Sequence, residues 1–145
     1  MQFNALKHHD IYGEPHSLSY KIRYAIEPNN HQLLTIWLDA ARLHDNCWSS
    51  HQFQFQTLLD VVADELLPSH WREACLNLLY KPLHQLSRLV KNNKDQHHLD
   101  RLYEEMLSTT HYASASIYYS ERLPKQNSEL SLIAFPLNSQ TPARG

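Results

Sequence analysis

Ser17-Leu18-Ser19-Tyr20-Lys21-Ile22-Arg23-Tyr24-Ala25-Ile26-Glu27 sets Leu18, Tyr20, Ile22, Tyr24 and Ile26 at every second position, with Ser19, Lys21, Arg23 and Ala25 between them. A period of two puts alternate side chains on opposite faces of an extended chain, and Tyr and Ile are strand formers. The stretch is therefore expected to be a half-buried β-strand, ended by Pro28-Asn29-Asn30, which also supplies an N-cap to the next segment.

Downstream the period changes. His31 to Asp45 carries Leu33, Leu34, Ile36, Trp37, Leu38, Ala40, Ala41 and Leu43, apolar over more than one face, and predicts a largely buried helix. A second helix is expected from Ser49-Ser50 to Leu67, with Phe55, Leu58, Leu59, Val62 and Leu66 on its inner stripe and Pro68 closing it. A third, capped by Ser69, carries Trp71, Cys75, Leu78, Leu79, Leu86, Leu89 and Val90; Pro82 predicts a kink or restart near Lys81. After the loop 91–94, Asp95 is expected to cap a short fourth helix bearing Leu99, Leu102, Tyr103, Met106 and Leu107.

Alternation then returns. Tyr112 to Arg122 carries Ala113, Ala115, Ile117 and Tyr119 at alternate positions, and Leu130 to Leu137 is a second apolar run, which together predict a β-hairpin with a loop of about seven residues. The expected fold class is α+β: a small antiparallel sheet, made of one N-terminal strand and the C-terminal hairpin, packed on about four central helices. Residues 1–145 are read as one domain, with 1–16 irregular and 138–145 a frayed tail.

Composition supports a packed chain. A domain of 145 residues can bury roughly 70 % of the surface its unfolded chain exposes. With 42 % hydrophobic and 19 % charged residues it is neither disordered nor fibrous. The formal charge of −2 supplies no overall field toward nucleic acid or anionic lipid, although full protonation of the 11 histidines would carry it to +9. Leu33 to Leu43 is interrupted by Thr35, Asp39 and Arg42 and is too short to span a bilayer. The opening Met1 to Lys7 has no apolar core of a secretory signal, so a cytoplasmic location is expected, with no membrane partner. Cys47 and Cys75 have no CxxC spacing and are expected to be two buried free thiols.

Glycine decides which chemistries are closed. Only Gly13 and Gly145 are present, so no glycine-rich loop can bring backbone against a phosphate, and neither GxSxG nor HExxH occurs. One stretch points to an enzyme. Leu38-Asp39-Ala40-Ala41-Arg42-Leu43-His44-Asp45 resembles the central motif of the HD-domain phosphohydrolases, in which a small-residue and leucine helix delivers a His-Asp pair to a divalent metal. The resemblance implies one divalent ion held by His16, His44, Asp45 and a downstream Asp95 or Asp100, with Asp100 preferred, and a bound water as nucleophile. Without that resemblance, His44 and Asp45 read as helix-end residues, the imidazole beside unpaired carbonyls and the carboxylate opening a turn.

Other constellations are less specific. His97, His98 and Asp100 with His111, the group His8, His9, Asp10 and His16, and the pair His70 and Glu73 read more simply as solvated or cap residues than as metal ligands. Lys81, Arg88, Lys91 and Lys94, with Tyr80 and Tyr103 for stacking, form a weak nucleic-acid footprint opposed by Asp100, Glu104 and Glu105. The solvent face of the predicted C-terminal strand would present Tyr112, Ser114, Ser116 and Tyr118, a composition suited to a protein interface. The leading expectation is thus a small cytoplasmic protein-interaction or regulatory module without catalytic activity or cofactor, meeting a protein partner or a second copy of itself. The metal-dependent phosphohydrolase stands second and a nucleic-acid-binding regulator third.

Overall fold

The computed structural model describes residues 12–122, and helix takes up 76 % of them. No strand is present among the described residues, so the fold is all-α and the expected α+β class is corrected. Among the described residues six helices succeed one another: α1 (Leu18–Arg23), α2 (Gln32–His44), α3 (Trp48–Ala63), α4 (Ser69–Asn77), α5 (Tyr80–Leu89) and α6 (Asn93–Arg122). None of them is long and apolar enough to cross a membrane.

The alternating stretch at 18–26 is α1, and the reason is arithmetic. Residues at i and i+4 share a face in a helix as well as in a strand, so Leu18 with Ile22, and Tyr20 with Tyr24, satisfy both templates. Only Ile22 is buried outright, whereas Ile26 is 50 % exposed. The rings of Tyr20 and Tyr24 meet at 4.7 Å between centroids. Local chemistry then selects the helix. Ser17 is the N-cap, its Oγ accepting from the Tyr20 amide at 3.2 Å. At the far end Ile26 N donates to Lys21 O at 3.0 Å and Ala25 N to Ile22 O at 3.3 Å, the paired bonds of a Schellman ending. That ending requires Ala25 at φ 52°, a left-handed conformation that costs a non-glycine residue roughly 1–2 kcal/mol. Arg23 fastens α1 to the end of α3 through Asp64 at 2.9 Å.

The predicted strand at 112–122 is the continuation of α6. Leu99, Leu102, Met106, Ala113 and Ile117 recur at helical spacing and line the core, and no glycine or proline interrupts 93–122. Ala113 and Ile117 are again an i, i+4 pair inside an alternating run. Asn92 rather than Asp95 caps α6: its Oδ1 accepts from the Asp95 amide at 2.8 Å, while Asp95 Oδ2 accepts from the Lys91 amide at 3.0 Å, a reciprocal pair of the capping-box kind. The other predicted hairpin strand, Leu130 to Leu137, lies outside the described residues, as do 1–11 and the tail 138–145.

The helices between are close to expectation. The restart foreseen near Lys81 occurs at Tyr80, after Leu78 and Leu79 leave the α4 path, and it sets Pro82 in the first turn of α5 where its missing N–H removes no helical bond. His31, not Asn30, occupies the cap position of α2, and neither α2 nor α4 has a side-chain cap; Ser69 is the first residue of α4, behind Pro68.

Helix α3 is the axis of the fold, in contact with each of the other five. It is buried over more than half its girth, through His51, Gln54, Phe55, Thr57, Leu58, Leu59, Val61 and Val62, and Gln52, Phe53, Gln56 and Asp60 form a partly exposed face. Trp71 of α4, wholly buried, donates from Nε1 to Ile22 O at 3.0 Å and so ties α4 to α1. Arg72 is 2 % exposed. Its Nε and Nη2 donate to Val62 O at 3.0 and 2.7 Å, and Nη2 also reaches Ser116 Oγ at 3.0 Å. The guanidinium thus closes the C-terminal end of α3 and joins it to α6. The expectation of two buried thiols holds for Cys75, whose thiol burial pushes well above the usual range, and fails for Cys47, which is half-exposed at the head of α3.

Candidate functional site

The residues picked out by the HD resemblance are not assembled. His16, His44, Asp45 and Asp100 are all exposed, and among the described residues no three His, Cys, Asp or Glu side chains gather so as to hold a metal. Asp45 caps α2 instead. Its Oδ2 accepts from Ser50 Oγ at 2.5 Å and its Oδ1 from Cys47 Sγ at 3.4 Å, contacts that hold the carboxyl below its ordinary range. His97 and Asp100 face an open hollow with Lys94, Arg101 and Glu104, His98 turns to the Trp48 ring at 5.2 Å, and His111 is exposed. His70 Nε2 lies 3.2 Å from Pro28 O. His8, His9 and Asp10 lie outside the described residues.

The four residues of the expected interface no longer share a face. In a helix, positions two apart point about 200° from each other. Ser116 turns inward to Arg72, Ser114 donates to Thr110 O at 2.5 Å, and Tyr112 and Tyr118 are exposed by 73 % and 42 % on separate flanks. A different stripe forms. Tyr103, Leu107, Ser114 and Tyr118 succeed one another at spacings of four, seven and four, which keeps them on one side of α6, and Tyr103 and Leu107 are 40 % and 62 % exposed.

A second feature lies where α2, α3 and α5 meet. A cavity of about 200 Å³ is walled there by Asp39 and Arg42 of α2, His51 and Gln54 of α3, and Lys81 and His84 of α5, among others. A neighbouring hollow shares Arg42 and Gln85 with it and adds Asn46 and Arg88. Of the four basic residues considered for nucleic acid, Lys81 and Arg88 therefore border these spaces, Lys91 borders a third with Cys47, and Lys94 faces the open hollow beside Asp100.

His51 is the unusual group. It is 1 % exposed, and its Nε2 lies 2.7 Å from Asn46 Oδ1. With that oxygen accepting, Nε2 carries the proton and Nδ1 is left as a buried lone pair with no partner. An unmet buried acceptor costs roughly 1–3 kcal/mol, so its retention calls for an explanation. Burial lowers the imidazole's affinity for a proton, against a smaller opposite pull from Asp45. A folded-state pKa below the unfolded value of about 6.5 means that the unfolded chain binds the proton first, so stability is complete above that pH and declines as pH falls through it. Urea unfolding between about pH 7.5 and 5.5 should show this decline, and His51→Gln should flatten it; an unchanged slope in the variant would assign the acid sensitivity elsewhere.

The pattern His51, Gln54, Leu58, Val61 was the available signal for this site: a helical stripe whose first two members are polar and whose continuation is core. No protein-family model matches the chain, and no curated protein or solved structure matches it either, so its function has to be argued from these residues.

Proposed function

We propose that this chain is a non-catalytic helical interaction module of the cytoplasm, and that the outer face of α6 is its contact surface. The observation that carries the reading is the stripe of Tyr103, Leu107, Ser114 and Tyr118, two aromatic rings and a leucine left to solvent beside the stripe that faces the core. Apolar residues at such spacing on a 30-residue helix suit pairing with another helix. A second copy of the chain is the partner the reading commits to, since two-fold pairing lets one patch serve both sides. The free thiols of Cys47 and Cys75 agree with a reducing compartment.

Sedimentation of the full chain from about 1 μM to about 300 μM tests it, the range in which a modest apolar patch associates. The expected result is a concentration-dependent dimer that Leu107→Glu abolishes with no loss of helicity. A strictly monomeric chain over the whole range would overturn self-association, and a dimer indifferent to Leu107→Glu would place the contact elsewhere.

A further inference from the structure

Helix α6 carries its polar groups unevenly along the face that self-association would use. Asp100 and Glu104 stand toward its N-terminal end, Leu107 in the middle, and His111, Ser114 and Tyr118 beyond it; from 111 to 118 no residue is acidic. Asp100 already accepts from Gln96 Nε2 at 2.9 Å, and Glu105, on the neighbouring flank, from Gln56 Nε2 of α3 at 3.2 Å. Glu104 and His111 are exposed, and among the described residues neither side chain has a hydrogen bond or an ion pair. The two lie two helical turns apart, which sets both on one flank of Leu107 and about 10 Å from each other along the axis.

A patch that meets its own copy across a two-fold axis has to be complementary to itself. Parallel pairing fails that condition, since it sets Asp100 and Glu104 level with the same two carboxylates of the other chain. Antiparallel pairing, with the axis between Leu107 and Ser108, meets it. Leu107 then packs beside the partner's Leu107, and Glu104 comes level with the partner's His111, because the two stand equally far from the axis on opposite sides of it. Like flanks face each other in an antiparallel pair, so both side chains border the same seam and the contact occurs twice. Resting on the reading of α6 as a self-contact, we propose that two copies pair α6 against α6 in this antiparallel register, each Glu104 accepting from the imidazole of the partner's His111. The ring keeps an N–H in either protonation state, so the contact does not depend on its charge.

Charge exchange in the full chain, followed by sedimentation, tests the register. His111→Glu sets carboxylate against carboxylate, and Glu104→Lys removes the acceptor. With two such contacts in each dimer, each worth a factor of about three, either substitution should weaken the dimer about tenfold. Both positions are exposed, so the helical signal should stay intact. The double variant, Glu104→Lys with His111→Glu, rebuilds both contacts with their ends exchanged and should return to within about threefold of the parent. A parallel pair could not recover in this way, because like charges would then meet at both positions. A dimer that neither single substitution weakens, or one that the double variant fails to restore, would overturn this register while leaving self-association through Leu107 in place. A chain that never dimerises would overturn both.

Discussion

Replacing Arg72 with alanine should lower the unfolding free energy by about 4 kcal/mol. Two losses add. The long aliphatic stem leaves a cavity between α3, α4 and α6, of the kind that costs roughly 2–5 kcal/mol when a buried methionine or leucine is truncated. Val62 O and Ser116 Oγ then lose their donor, and an unmet buried carbonyl adds roughly 1–3 kcal/mol, less whatever water enters. Arg72→Lys separates the two losses. Lysine keeps a stem and a charge but cannot present Nε and Nη2 together to one carbonyl, so it should recover about half of the stability. Urea unfolding followed by circular dichroism measures both variants, and a loss under about 1 kcal/mol for the alanine variant would remove Arg72 as the tie between α3 and α6.

Tyr112→Pro is the sharpest test of the helix that replaces the first strand of the expected hairpin. Tyr112 is 73 % exposed, so little packing is at stake in the side chain itself. Proline there removes one amide donor and drives its ring against the carbonyl of Ser108, at a cost of about 3 kcal/mol or more inside a helix. The turn that sets Ala113 and Ile117 into the core would be displaced as well. Tyr112→Ala should fall within about 0.5 kcal/mol of the parent, which isolates the backbone effect. Near-equality of the proline and alanine variants in urea unfolding would mean that 112 is not in a helix interior.

These two positions show what the sequence concealed. Tyr112 sits in an alternating run, but alternation over fewer than about ten residues always contains i, i+4 pairs, and the deciding facts were non-alternating ones: Ser17 as a cap for α1, and an uninterrupted, glycine-free and proline-free path for α6. Where the apolar pattern was long, at α2, α3 and α4, the helices were legible to within a few residues. Pro82 announced the restart at α5 because its effect is local. Arg72 and His51 were not legible. Each is polar by type and buried by helices distant in sequence, and the stripe that continues from His51 through Leu58 and Val61 does not by itself say that its polar head is buried. The expected interaction face failed for a related reason: Tyr112, Ser114, Ser116 and Tyr118 share one face only in a strand, and in α6 they split into two pairs, Tyr112 with Ser116 and Ser114 with Tyr118, on different sides.

The position of α3 has a last consequence. Since α3 touches every other helix described, no subset of the five can keep its core while α3 leaves, and no partly open form can expose Phe55 or Leu58 cheaply. The outer helices can fray one at a time, but opening at α3 is opening of the whole. That makes the described helices a single cooperative unit organised from its middle, in which an outer helix gives way before α3 does.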